Sequence, residues 1–261
     1  HRDLHSFPTR RSSDLSVNDG DGIRTAVFLA GCPLRCAWCA NPETWEEDPD
    51  LSAYPPGAAA VLGDWMSPPD ILAAVRRDSV FHRFSFGGVT WSGGEPFAGS
   101  ERFAALVRVF FEAGIHQAVE TSAFFPWSSC QDTVRLLDFL FVDIKHMDDR
   151  AHRAYTGVGN LEILENIRRI GAAGKEVVVR VPLVKGVNDG KSNLERTASF
   201  VRENLPRPRM EILPYHDLGR EKYELLGLSS RRRTFDPPDP GDLAQAEEIA
   251  GALGVEVVRY R

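Results

Sequence analysis

Residues 25–39 read TAVFLAGCPLRCAWC: a β-branched and aromatic run closed by glycine, then three cysteines within eight residues. The run from Thr25 to Leu29 favours an extended strand, and Gly31 punctuates it. Cys32, Cys36 and Cys39 follow at C-x3-C-x2-C spacing. Parallel α/β folds present metal-binding and reactive side chains on the loops that follow their strands. The stretch predicts the first unit of a β/α repeat together with its working end.

Five further runs of the same kind follow: GGVTWSG (87–93), HQAVET (116–121), LFVDIK (140–145), EVVVRVPLV (176–184) and RMEILPY (209–215). Amphipathic stretches lie between them, such as ERFAALVRVFFEAG (101–114) and NLEILENIRRIGAAG (160–174), each stopped by glycine. A last helical pattern, GDLAQAEEIAGALG (241–254), precedes VEVVRY (255–260). Six β/α units predict an α/β fold of parallel strands with outer helices. The expected form is an incomplete (β/α)6 TIM-like barrel, short of the usual eight units. Residues 41–69 are the one long connection without periodicity.

The 261 residues are 43% hydrophobic and 26% charged, ordinary for a globule with ample core. A net charge of −6 and a pI near 5.7 disfavour a nucleic-acid binder, which is normally basic. No apolar run approaches the roughly 20 residues that span a membrane. Three of the four cysteines are crowded together, which points to metal ligation in a reducing cytoplasm and not to a disulfide scaffold. The expected location is cytoplasmic, with no membrane or nucleic-acid partner.

A tetrahedral zinc takes four ligands, and the next histidine is His82. An iron–sulfur cubane normally takes four cysteines. Three thiolates leave one iron open, and an open iron can bind a substrate or cofactor; a structural zinc or cluster site is the alternative. The triad resembles that of the radical S-adenosylmethionine (SAM) superfamily. The longer string NDGDGIRTAVFLAGCPLRCAWCANPETW (18–45) is similar to the glycyl-radical-enzyme activating enzymes, whose best-known members activate pyruvate formate-lyase.

That resemblance implies one 4Fe-4S cluster on Cys32, Cys36 and Cys39, with SAM chelated at the open iron. It implies reductive cleavage of SAM in an oxygen-free setting. The resulting 5′-deoxyadenosyl radical then removes hydrogen from a glycine of a partner glycyl radical enzyme. Flavodoxin or ferredoxin is the implied electron donor. Ser92-Gly93-Gly94-Glu95, alone no more than a turn, then matches the contact to the SAM amino group. Glu120, Thr121 and Asp143 would surround the SAM carboxylate with a monovalent cation, and Lys145 would supply positive charge. Trp38 would flank the adenine, with backbone from Cys39 and Ala40. Arg180 and His216, the latter in LPYHDLGREKY (213–223), fall at ligand positions. Asp19 and Arg24, in DGDGIR, would meet the partner's loop.

Departures from the family pattern are Asp21 for proline, Phe86 and Ala123 for glycines, and Gly99 for glutamine. His82, His116, His146 and His152 match no site and are read as surface or capping residues, and FPWSSC (125–130) as packing. Residues 41–90 contain no cysteine, which excludes an accessory cluster domain and favours the formate acetyltransferase-activating type. The competing readings are a radical SAM enzyme acting on a small molecule and an iron–sulfur protein with a structural or electron-transfer role. At the N-terminus, FPTRRSSDL (7–15) resembles a translated sequencing-library adapter. Residues 1–15 are accordingly read as a non-native segment, and 16–261 as the radical SAM core domain.

Overall fold

A computed structural model describes residues 7–48, 51–58 and 62–260. The β-forming runs become strands β1 (Phe7–Ser16), β2 (Arg24–Leu29), β3 (Asp64–Met66), β4 (Gly88–Gly93), β5 (Gln117–Thr121), β6 (Phe139–Asp143), β7 (Glu176–Leu183), β8 (Arg209–Pro214) and β9 (Glu256–Val257). The helices are α1 (Pro68–Arg76), α2 (Ser79–Ser85), α3 (Ser100–Glu112), α4 (Trp127–Leu136), α5 (Asp149–Thr156), α6 (Leu161–Ala172), α7 (Lys191–Asn204), α8 (Arg220–Leu225) and α9 (Pro240–Ala252). All six expected strands form, within a few residues of the expected bounds.

The strands make one open sheet in the order β3-β1-β2-β4-β5-β6-β7-β8-β9. From β2 to β9 every neighbouring pair is parallel, the architecture expected for an unclosed barrel. Its outer face packs against the helices. Trp91 on β4 is fully buried there, edge-on to Phe110 at 4.7 Å, and its indole N–H donates to Gln117 Oε1 at 3.0 Å. A smaller inner cluster joins Ala118, Phe139, Phe141 and Val178, with Tyr260 against it.

Two departures from the sequence reading sit at the β2 edge. Residues 7–16, expected to form no element, pair antiparallel with β2, with a register shift between Arg10 and Asp14. β3 lies within the connection expected to be structureless and pairs with β1. Both pairings run through the main chain of an otherwise open edge, and main-chain hydrogen bonding does not require an alternating side-chain pattern. Residues 1–6 of the N-terminal segment, and 49–50 and 59–61 of the long connection, lie outside the described residues.

Candidate active site

The cysteine loop leaves the C-terminal end of β2 and is fixed from both sides. Gly31 N–H donates to Thr44 O (2.8 Å) and Cys32 N–H to Trp45 O (3.2 Å); Arg35 N–H donates to Thr156 O (2.7 Å) and Ala37 N–H to Tyr155 O (2.8 Å). The Arg35 guanidinium lies over the Trp45 ring at 5.3 Å. Lys222 on α8 reaches back to Asn41 Oδ1 (2.6 Å) and Glu43 Oε1 (2.7 Å), bracing the loop's exit.

The two glycines after β4 are required by this loop. A Cβ on Gly93 would stand 2.5 Å from Leu29 O, and one on Gly94 would stand 2.4 Å from Gly31 O. Their absence lets Gly94 N–H donate to Leu29 O and Glu95 N–H to Gly31 O, both at 2.8 Å. The glycines thus dock the second strand end against the cysteine loop, besides leaving backbone open to a ligand.

A cleft of ≈ 260 Å³ opens at these strand ends. Its walls include Cys32, Cys36, Cys39, Trp38, Ala40, Gly93, Gly94, Glu120, Thr121, Asp143, Lys145 and His216, drawn from residues up to 184 positions apart. Ser92, Ser122 and Tyr215 line it too, although no spacing in the sequence marks them. Glu95, Arg180, Asp19 and Arg24 are not among its walls.

Each of these four has a different occupation. Glu95 is buried and accepts four hydrogen bonds. Thr121 Oγ1 (2.7 Å) and Phe97 N–H (3.3 Å) reach Oε1; Ser122 N–H (2.8 Å) and Oγ (2.5 Å) reach Oε2. Burial still outweighs these donors and raises its pKa. Arg180 joins Glu120 to Glu211 (2.8 Å), donates to Asn18 O (3.0 Å) and lies over Phe141 at 3.6 Å. Arg24 has no exposed surface; it donates to Thr90 Oγ1 (2.7 Å) and Val89 O (2.6 Å). Thr90 Oγ1 in turn donates to Asp19 O (2.8 Å), so the DGDGIR segment is knotted to the N-terminal end of the sheet.

Within the cleft, Lys145 Nζ stands 2.5 Å from Asp143 Oδ2. Burial opposes its charge, but Asp143 and Cys36 outweigh burial and hold its pKa above the ordinary lysine value. Burial raises Glu120 as well, against the pull of Arg180; Ser92 Oγ donates to it. Burial pushes the Cys32 and Cys36 thiols up to about 12 and raises Cys39. Such thiols become thiolates only when a metal takes the proton's place, and the donor set suits iron. Among the described residues no three His, Cys, Asp or Glu side chains converge on a single-ion site. The triad therefore fits ligands to separate irons of a cluster better than ligands sharing one zinc.

The histidines without an assigned role are placed differently from one another. His116 Nδ1 lies 3.3 Å from Arg24, and His82 Nε2 lies 2.9 Å from Thr25 Oγ1. His146 Nδ1 accepts from Asp148 N–H at 2.9 Å, just before α5. His152, expected at the surface or in a cap, is instead buried, with Nδ1 2.7 Å from Val158 O. The packing expected of 125–130 holds: Phe125 stacks on Phe97 at 4.2 Å, and Cys130 is fully buried.

The Radical SAM superfamily profile matches residues 27–201. The chain is 36% identical to the isethionate sulfite-lyase activating enzyme of Oleidesulfovibrio alaskensis, over 97% of each protein. That alignment spans 311 positions, more than this chain has, so the relative carries at least 50 positions without a counterpart here. The 4-hydroxyphenylacetate decarboxylase activating enzyme of Clostridioides difficile is 33% identical over 90% of each. Among solved structures, a domain of a pyruvate-formate lyase-activating enzyme from Bacteroides vulgatus superposes with a TM-score of 0.55 at 29% identity. The match covers 66% of this chain and 98% of that one.

Proposed function

This chain belongs to the radical SAM superfamily, and we propose that it installs a glycyl radical on a partner enzyme. Its cofactors are a 4Fe-4S cluster and SAM. The observation that carries the proposal is the joining of the cysteine loop to Glu120, Thr121, Asp143 and Lys145 around one cleft, at the C-terminal ends of an unclosed sheet.

Cys32, Cys36 and Cys39 would hold the cluster, which when bound supplies one electron for cleaving SAM to methionine and a carbon radical. The chain's own residues then bind and orient. The Lys145 ammonium suits the SAM carboxylate, and Glu120 and Asp143 suit its ammonium or a monovalent cation beside it. Trp38 and the Ala40 backbone would flank the adenine, with His216 at the rim. Glu95, through Thr121 and Ser122, and Arg180, through Glu120, act as positioning residues. Electrons would come from a flavodoxin or ferredoxin.

A primary carbon radical attacks most C–H bonds, so selectivity has to come from holding one hydrogen close to it. A sheet left open at one side admits a peptide loop to the strand ends. The partner is read as a pyruvate formate-lyase type, on the cysteine-free connection and the likeness to the Bacteroides vulgatus domain. The curated relatives are named for other partners, so the decisive test offers several. Reconstituted protein, SAM and reductant are mixed in turn with pyruvate formate-lyase, isethionate sulfite-lyase and 4-hydroxyphenylacetate decarboxylase, each carrying deuterated glycine. Deuterium should enter 5′-deoxyadenosine, and an air-sensitive glycyl EPR signal should grow in the true partner. Deoxyadenosine without deuterium across the panel would point to a small-molecule substrate instead.

A further inference from the structure

Helix α2 buries none of its own residues. Val80, Phe81 and Phe84 are exposed along it, and Phe86 follows it directly. Phe84 and Phe86 keep 83% and 86% of their surface, values that a soluble protein rarely gives two neighbouring aromatics. Phe86 also sits in the left-handed region, at φ 59°, where a bulky side chain is disfavoured. A position that suits glycine thus holds an aromatic that is both strained and wet, and backbone strain of this kind concentrates where a surface has work to do.

The patch adjoins the opening of the sheet. Ile23 N–H donates to Ser85 Oγ at 2.8 Å, and a Cβ on Gly22 would stand 2.4 Å from Ser85 O. The end of α2 is therefore locked onto the 20–23 turn. That turn, with Ser85, Arg209 and Tyr260, walls a groove of ≈ 750 Å³ between the two ends of the parallel run. Three phenylalanines at these exposures offer roughly 400 Å² of apolar surface, judged from what an aromatic side chain can bury. A stable complex needs about 800 Å² per partner, so the patch alone is too small to hold a second copy of this chain. Patch and groove together form one continuous footprint of sufficient size.

We propose that Phe81, Phe84 and Phe86 are the anchor on which the body of the glycyl radical enzyme docks while its glycine loop enters the adjoining groove. This inference rests on the function proposed above. Aromatic anchors beside a cleft carry a disproportionate share of binding energy, and the loop alone would gain nothing from them.

The test compares reconstituted wild type with the double variant Phe84→Ser/Phe86→Gly. Glycyl radical yield is measured by EPR against the concentration of whichever of the three named enzymes wild type activates. The KM for the whole enzyme should rise at least tenfold, with kcat, iron content and melting temperature preserved, because glycine relieves the backbone at position 86. A short synthetic glycine-loop peptide should be turned over equally by both forms, since it lacks the docking body. An unchanged KM overturns the docking face while leaving the function standing. Concentration-dependent dimerisation of wild type that the variant loses would assign the face to a second copy and overturn the proposal. No radical on any of the three enzymes overturns the function and this inference together.

Discussion

The two ends of the same parallel strands treat buried charge in opposite ways. At the N-terminal ends Arg24 is sealed among neutral acceptors, and burial pushes its pKa down to about 10. At the C-terminal ends Lys145 stands among a carboxylate and thiols that hold its charge, and it faces a cleft. Both are buried cations on or beside β-strands, yet one closes the sheet and the other is left a demand for a ligand. Burial of a charge does not make a site; burial beside an opening does.

The sharpest way to break this contrast is at the cysteines. Changing Cys32, Cys36 or Cys39 to Ala should abolish iron binding after anaerobic reconstitution, whereas Cys130→Ala, in the core, should keep about four irons per chain. Iron retained in a triad variant but lost in Cys130→Ala would invert the ligand assignment.

The two cations come next. Arg24→Ala should lower stability on the order of 3 kcal/mol, because Thr90 and Val89 lose a charged donor in a buried place. SAM affinity in the folded fraction should be unaltered. Lys145→Met should do the reverse, weakening SAM by roughly tenfold or more, the size of one charge-assisted hydrogen bond. Calorimetric melting and equilibrium SAM binding on both variants separate the two outcomes.

A smaller effect is expected with pH. The folded state raises the Cys32 and Cys36 thiols from 9.0 to about 12, so it binds their protons more tightly than the unfolded chain does. Their contribution is complete below pH 9 and is lost as pH rises toward 12. The melting temperature of cluster-free protein should therefore fall more steeply above pH 9 than that of cluster-loaded protein, whose thiolates are already ligated. Parallel slopes would show that burial at the loop is not what holds the thiols.

The least change is expected at the opposite edge. β1 pairs with β2 through main-chain bonds, and we propose that residues 1–15 are foreign to the fold. Replacing residues 7–15 with an unrelated extended sequence should alter stability by no more than about 0.5 kcal/mol. A larger loss would show side chains of that segment to be docked.

Two residues show how much the departures from the family pattern meant. Phe86 and Ala123 stand where the resemblance expects glycine, and they are the two non-glycine residues at positive φ among the described residues. Ala123 is held there by Asn166, which donates to its carbonyl at 2.9 Å, with the Ala123 N–H on Thr121 Oγ1. The pattern therefore carried a backbone requirement that neither side chain announces.

The sequence by itself determined the six strands, their parallel order and the cysteine loop, because alternation, glycine stops and C-x3-C-x2-C are local signals. It also determined which strand ends gather at the cleft, since in a β/α repeat they all point one way. Only the tertiary structure decided the work of Glu95, Arg180 and Arg24. Each is a charged residue at or beside a strand, and nothing in its neighbours along the chain distinguishes a ligand contact from an internal brace. That distinction rests on partners far away in sequence: Ser122 for Glu95, Glu120 and Glu211 for Arg180, Thr90 for Arg24. Hydrogen-bond geometry across strands settles it, and no local pattern encodes that geometry.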